Sequence, residues 1–496
     1  MIGLYRHCLL ALTVLGLTAC NSTSTVLPAH GLAKIEHIVV IFAENRSFDN
    51  LYGLFPGANG LANATNTTQT DNDGKPLPVL PKVWPASGAY ATGTYPVFPD
   101  ILPNRPFQID APPINLPLSV KTRDLVHNFY QQQEQIDGGK MDRYAAVSDA
   151  GGLTMGYYDG SKMAMWQWAR DYTLADNFFM SGFGGSYFNH IRLICACQAV
   201  FPDAPANMRA QVDERGRLLR KPDSPASPLN GPPQFFDGSV TPDGFAINTI
   251  QPPYQPSKIP PAADGDRRLA DPAKFPLPPQ IQKTVGDTLS AKHVSWAWYA
   301  GGWNLALTDG MQSPETKRSV IGTGEVNFQT HHQPFNFFAN YAPGTQTRAE
   351  HLKDYEDLLA GLKVGKLPQV VFYKPQGSLN EHAGYADVYS GDRHIAEVVA
   401  KIKASPLWPS TAIIVTYDDN GGFYDHVPPP IGDRWGPGNR LPLLVISSFA
   451  KKGFVDHTYY DTTSILKLIT RRFDLEPLPG IRPGIGDLTA AFDLAQ

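Results

Sequence analysis

Apolar side chains run unbroken from Ile38 to Ala43 in the stretch IEHIVVIFAENRSFDNLYG, and Glu44 and Asn45 follow at once. A nearly continuous run rich in β-branched residues over 37–42 predicts a strand covered on both faces. Four more runs read the same way, at 294–299, 369–373, 412–416 and 441–446. Helical periodicity lies between them. Within 391–403, Ile395, Val398, Val399 and Ile402 fall at i, i+3, i+4 and i+7 and form one apolar stripe. Within 461–473, cap-forming residues precede Ile465, Leu466 and Leu468. Strands alternating with helices predict an α/β fold, a mostly parallel sheet sandwiched by helices. Two Pro/Gly/Asn-rich stretches, near 56–118 and 201–282, show no sustained period. Loops of that length predict coverings of a site or inserted subdomains.

Chain leaving a buried strand emerges at the carboxyl edge of the sheet, where open α/β folds bind ligands. Glu44 and Asn45 occupy that position after the first strand. Asp418 and Asp419 occupy it after the fourth, in STAIIVTYDDNGGFYDHVPPP. Adjacent carboxylates repel and need a cation or strong donors between them. Oxygen donors of this kind suit one hard divalent metal ion, held by Glu44, Asn45, Asp418 and Asp419. The run Asp418 to Gly422 also reads as a plain turn, since Asp, Asn and Gly favour turns.

In MSGFGGSYFNHIRLICACQ, three glycines precede Ser186 and an apolar helical stretch follows it. Such a serine reads either as an N-cap or, with a metal to depress its pKa, as a nucleophile. Asn189, one turn on, is a candidate donor to a bound oxyanion. Among 13 histidines, His127, His331, His332, His382 and His426 sit in polar, loop-like contexts. Each reads either as a structural residue or as a group that positions a phosphoryl unit or protonates a leaving oxygen.

The 496 residues, 42% hydrophobic and 18% charged, suit one large α/β domain with insertions or two domains. A net charge of -4 and the absence of any Lys/Arg run argue against a nucleic-acid partner. At the N-terminus, MIGLYRHCLLALTVLGLTACNS has the proportions of a signal peptide, and its apolar run is too short to span a bilayer. Leu-Thr-Ala-Cys resembles the bacterial lipobox. The expected layout is a signal peptide at 1–19, a tether at 20–33 and a catalytic domain at 34–480, with a tail at 481–496. Export follows, to the periplasm or the outer membrane as a lipoprotein anchored through acylated Cys20, or as a secreted protein. Cys195 and Cys197 are too closely spaced for a relaxed disulfide and read as small buried hydrophobes in a helix.

Together, ENRSFD after an apolar strand, LADNFFMSGFGGSYFNHI and TYDDNGGFYDHVPPP resemble the bacterial phosphoesterase family. GGKMDRY and YYDTTSILKLITRRF add to the likeness. That family holds phospholipases C of the haemolytic and non-haemolytic type and respiratory-burst-inhibiting acid phosphatases. The resemblance implies an alkaline-phosphatase-like α/β fold and a metal-assisted nucleophile. Residue by residue, it implies Glu44, Asn45, Ser186, Asp418 and Asp419 as metal ligands and Ser186 as nucleophile. It places Asn189, His127, His331, His332 and His382 around the phosphate; in the mechanism expected here, His127 or His382 protonates the leaving alcohol. His190 stands where the phospholipase C branch usually has Arg. Asn420-Gly421-Gly422 departs from that branch's usual run, and only a short tail follows the last helix. The chain is therefore expected to be an exported acid phosphatase cleaving phosphomonoesters through a phosphoserine, fastest on the acid side of neutrality. The alternatives are a phospholipase C acting on phospholipid head groups and a surface lipoprotein that only binds ligands.

Overall fold

The run 37–42 does form a strand, β1 (His37–Ala43), buried from Ile38 onward. In the computed structural model, which describes residues 29–86 and 98–495, β1 lies inside a nine-stranded sheet. The predicted leader and Cys20 lie outside the described residues. The other strands are β2 (Thr173–Phe179), β3 (Trp296–Ala300), β4 (Leu352–Asp354), β5 (Val370–Lys374), β6 (Thr411–Tyr417), β7 (Arg440–Ser447), β8 (Phe454–Asp456) and β9 (Tyr460–Asp461). Their order is β8-β2-β7-β6-β1-β5-β3-β4, with β9 also pairing β2. Only β7 runs antiparallel to its neighbours β6 and β2, and the remaining pairings are parallel. Every residue of β5, β6 and β7 is buried, which is why these strands read as continuous apolar runs without alternation.

Five helices matter for the site: α1 (Phe48–Tyr52), α2 (Phe129–Ile136), α3 (Ser186–Cys195), α4 (Val388–Ala404) and α5 (Thr462–Phe473). The stripe Ile395, Val398, Val399 and Ile402 is the buried face of α4. Asp461 caps α5, its side chain accepting from Thr463 N at 2.7 Å. The fold class is thus the predicted one, with boundaries displaced by one to three residues.

Three expectations change. Cys195 ends α3, and Ala196, at φ 49°, turns the chain so that Cys195 and Cys197 form a disulfide, their Cα atoms 5.0 Å apart. The expectation of two free thiols assumed that the helix continued. Residues 29–32 of the expected tether form a helical turn whose Leu32 is buried in the main core. Leu488, Phe492 and Leu494 of the expected tail are buried in the same core, so both ends of the described chain pack onto the domain.

His394 on α4 meets Tyr373 Oη at 2.5 Å, and burial pulls it down to about 4, against the nearby Glu397 carboxylate. An unfolded histidine titrates near 6.5, so from pH 6.5 down to about 4 the unfolded chain gains a proton that the fold refuses. Stability attributable to this group is present above pH 6.5 and falls by about 1.4 kcal/mol per pH unit below it. His394→Gln is expected to lose about 2 kcal/mol less than the wild type on going from pH 7 to pH 5 in urea unfolding. Superimposable pH dependences would contradict this.

Candidate active site

Register brings the two acidic motifs together. β1 and β6 pair in parallel from His37 with Thr411 to Ala43 with Tyr417, so Glu44 and Asp418 leave the sheet side by side. Asp418 N donates to Ala43 O at 3.2 Å, and Asn45 N donates to Asp418 Oδ1 at 3.2 Å. On the other flank β5 pairs β1 and ends in Lys374. Its buried ammonium donates to Ala43 O at 3.1 Å and lies 3.1 Å from Glu44 Oε1 and 3.4 Å from Asp418 Oδ2.

Backbone geometry then aims the next groups. Asn45 is left-handed at φ 65°, a conformation that Asn tolerates better than most residues. Gly421 faces it at φ 59°, and a Cβ there would stand 2.3 Å from Asn45 O. Ser186 opens α3, and its Oγ donates to Asp419 Oδ2 at 2.9 Å and lies 3.4 Å from Asn45 Oδ1. Glu44, Asn45, Asp418 and Asp419 are fully buried, and Ser186 is 4% exposed at the floor of a cleft of about 320 Å³. Pairwise contacts thus link the five predicted metal ligands: Ser186 to Asn45 and Asp419, Asn45 to Asp418, and Asp418 to Glu44 through Lys374.

Glu44 is the most heavily engaged of them. His332 Nε2 lies 2.5 Å from its Oε1, and Tyr385 Oη donates to its Oε2 at 2.6 Å. Burial alone would raise Glu44, but Lys374 and His332 outweigh it and hold the carboxyl well below the usual range. His332 is pushed down to about 3 by burial despite that carboxylate, so it is a neutral imidazole donating from Nε2. Burial and the repulsion of Asp418 push Asp419 up to about 8.

This donor set fits a hard divalent cation. It offers carboxylate, amide and hydroxyl oxygens, and it sets three buried carboxylates against one buried ammonium. Two imidazole-containing groupings adjoin it, Glu44 with His331 and His332, and Glu44 with His190 and Asp418. Asp124, His127 and His382 form a further grouping on the cleft wall.

The histidines divide by partner. His331 is buried, 3.7 Å from Glu44 Oε1, and neither ring nitrogen has a hydrogen-bond partner. His127 meets Asn45 Nδ2 at 3.1 Å through Nε2 and Leu125 O at 2.5 Å through Nδ1. Burial lowers its pKa, but the Asp419 and Asp124 carboxylates prevail and lift it to about 9. His382 bonds Ala383 O through Nδ1, stacks on Tyr385 at 4.1 Å between ring centroids, and is lowered by burial. His426 is elsewhere: its Nδ1 meets Asp49 Oδ2 at 2.7 Å.

Asn189 is not presented to the cleft. Its Nδ2 donates to the carbonyls of Gly182, Gly184 and Gly185 at 3.2–3.4 Å, and its Oδ1 accepts from Gly182 N at 3.0 Å. The side chain that spacing suggested for an oxyanion instead braces the glycine loop that carries Ser186. Lys374, Tyr385 and Asp124 join the site without having been predicted. Lys374 follows an apolar run as directly as Glu44 and Asp418 follow theirs, and that signal could have revealed it.

Residues 35–476 match the model of the Phosphoesterase family. The chain belongs to that family. It is 24% identical to phospholipase C B of Mycobacterium tuberculosis over 507 aligned positions, covering 94% of this chain and 79% of the relative. It is 24% identical to the non-hemolytic phospholipase C of Pseudomonas aeruginosa, covering 95% of this chain and 59% of that one. Among solved structures, an alkaline phosphatase superfamily protein from Vibrio parahaemolyticus aligns with 77% of this chain and 75% of its own, at 10% identity and a TM-score of 0.32. The chain is thus a phosphoric ester hydrolase of this family.

Gly421→Ala is expected to destabilise the protein by about 1–3 kcal/mol, because the Cβ meets Asn45 O and the backbone is left-handed. Thermal unfolding with and without added Mn²⁺ would check the site as well. The cation should raise the melting temperature of the wild type and raise that of the variant less. A variant with wild-type stability and an equal cation response would contradict the role given to this turn.

Proposed function

We propose that this phosphoesterase is a phosphomonoesterase of the acid phosphatase type, with Ser186 as nucleophile. The observation that carries the reading is Ser186 Oγ, set between Asn45 Oδ1 and Asp419 Oδ2, in a cleft walled by His127, His331 and His382. A monoester phosphate is a compact dianion, and three imidazoles around one hydroxyl suit it. Choline recognition ordinarily uses a cage of aromatic faces. Apart from the imidazoles, Tyr385 is the one aromatic residue lining this cleft among the described residues.

Glu44, Asn45, Ser186, Asp418 and Asp419 would hold one divalent ion. When bound, that ion supplies Lewis-acid charge beside Ser186 Oγ. With the cation keeping it ionised, Asp419 Oδ2 would take the serine proton along the existing hydrogen bond. Ser186 attacks phosphorus and the ester oxygen departs, giving a phosphoserine. His331, with no hydrogen-bond partner, donates to a non-bridging oxygen, and such positioning and charge neutralisation are most of what phosphoryl transfer requires. His127, whose pKa is raised, against burial, by the Asp419 and Asp124 carboxylates, is the group assigned to protonate the leaving alcohol, and water then releases phosphate. Location in an exporting compartment is part of this reading, and the Cys195–Cys197 disulfide supports it, because such bonds persist under oxidising conditions.

The second reading, phosphodiester cleavage of phospholipid head groups, draws support from the names of the relatives, which are phospholipases C. Hydrolysis of p-nitrophenyl phosphate and p-nitrophenylphosphorylcholine across pH 4 to 9 separates the two. Faster monoester turnover is expected, lowered at least about 10³-fold in Ser186→Ala. Preference for the choline diester would move the assignment to phospholipase C, and activity retained by Ser186→Ala would remove the nucleophile. His127→Asn should slow β-glycerophosphate, whose alkoxide needs a proton, at least about tenfold more than p-nitrophenyl phosphate. Equal losses on both would take the acid role from His127.

A further inference from the structure

The cleft above Ser186 does not end at its histidine wall. Lys258 and Tyr385 line it and also line a second cavity of about 410 Å³ on the far side. Residues 322–325, Asn327, Ser378, Gly384 and Lys121 complete that second cavity, and among the described residues no Val, Leu, Ile, Met or Phe lines it. Tyr385 is fixed at the junction by its bond to Glu44 Oε2 at 2.6 Å and its stacking on His382. Lys258 is placed by its own backbone, whose N–H donates to Gln251 Oε1 at 2.8 Å. Gly322 leaves room for the lysine stem, since a Cβ there would stand 2.5 Å from Lys258 Cε.

Charge gives this junction a direction. Lys121, Lys258 and Glu325 are the charged residues lining the second cavity, an excess of one positive charge. Among the described residues neither lysine has an ion-pair partner, whereas Arg123, the other cation of the first cleft, is paired with Asp149. Both lysines are solvent-exposed and line the cavity, so an anion entering it meets an ammonium with no carboxylate partner competing for it. With the phosphoryl group at Ser186, the leaving group is the part of the substrate that can extend past Tyr385.

We propose that Lys258 binds a second anionic group carried by the leaving alcohol, a carboxylate or a phosphate, so that the preferred substrates are phosphomonoesters of anionic alcohols. This inference rests on the phosphomonoesterase reading. Lys258 is a specificity residue here and takes no part in the bond changes at phosphorus.

The test is phosphate release from a matched pair, 3-phosphoglycerate and glycerol 3-phosphate, which differ in a carboxylate against a hydroxymethyl group. Purified full-length protein with divalent cation supplied should show kcat/KM at least about tenfold higher for 3-phosphoglycerate, as one charge-assisted contact allows. Lys258→Met should bring that ratio close to one, mainly through KM, and Lys258→Arg should keep most of it. A wild-type ratio near one, with p-nitrophenyl phosphate turned over, would overturn the inference and leave the phosphomonoesterase reading standing. So would a Lys258→Met ratio equal to that of wild type. Equal losses on both substrates in Lys258→Met, with Lys258→Arg normal, would also overturn it, by assigning the charge to the transferred phosphoryl group. No turnover of any monoester by the wild type would sink the phosphomonoesterase reading, and the inference with it.

Discussion

Three carboxylates, Glu44, Asp418 and Asp419, are buried at the ends of two adjacent parallel strands, and most of the surrounding structure answers that charge. Ionised groups removed from water cost several kcal/mol each unless charges and hydrogen bonds compensate them. Lys374 compensates two of the three and saturates its remaining donor on Ala43 O. Backbone amides and a hydroxyl supply more: Asn45 N and Asp419 N on Asp418 Oδ1, Gly421 N and Ser186 Oγ on the two oxygens of Asp419. What stays uncompensated is concentrated on Asp419, the carboxyl nearest the serine. A cation-shaped deficit thus lies where a nucleophilic oxygen needs charge.

Holding like charges together also demands a rigid rim, and several motif residues belong to it. Arg440 lies 3.0 Å from Asp49 and 3.1 Å from Asp425, and Asp49 N donates to Asp425 Oδ2 at 3.0 Å. The helix after Glu44-Asn45 and the loop after Asp418-Asp419 are thereby clamped to one buried guanidinium. Arg46 donates to Glu381 O at 3.1 and 2.7 Å, and Glu44 N to Asn380 O at 2.9 Å, which ties the segment carrying His382 to the first acidic motif. Much of the length of the two motifs is therefore scaffold, and its polar residues serve the chemistry through position.

This division explains what was legible in the chain. Fully buried strands announce themselves as apolar runs, so β1, β3, β5, β6 and β7 were all visible, as were the acids that terminate two of them. β2 was missed because Asp176 and Asn177 interrupt its apolar pattern. Asp176 is buried on Asn59 N and His457, and Asn177 is half-buried. Asn189 misled because spacing on a helix fixes the side on which a residue lies, not the partner that claims it. The glycine loop, bare of side chains, leaves backbone carbonyls that an amide one turn away satisfies. Cys195 and Cys197 misled for a related reason, since the left-handed turn at Ala196 is a tertiary feature that no local pattern records.

The histidines carry the same lesson into chemistry. Residue type alone made His127, His331, His332 and His382 equivalent, and burial with partners makes them different. His332 spends its proton on Glu44 and stays neutral, which turns it into a brace for a ligand. His190 does likewise, donating from Nδ1 to Ser186 O at 2.7 Å at the start of α3, while burial and Lys374 keep it well below its usual range. A guanidinium at that position would add a permanent charge beside Lys374; the imidazole adds none, so the carboxylates remain short of positive charge. His331 keeps both nitrogens unspent, whereas both nitrogens of His127 are engaged and, against burial, the Asp419 and Asp124 carboxylates raise its pKa. His331, with neither nitrogen hydrogen-bonded, lines the cleft beside Ser186, where an incoming phosphate would use that capacity.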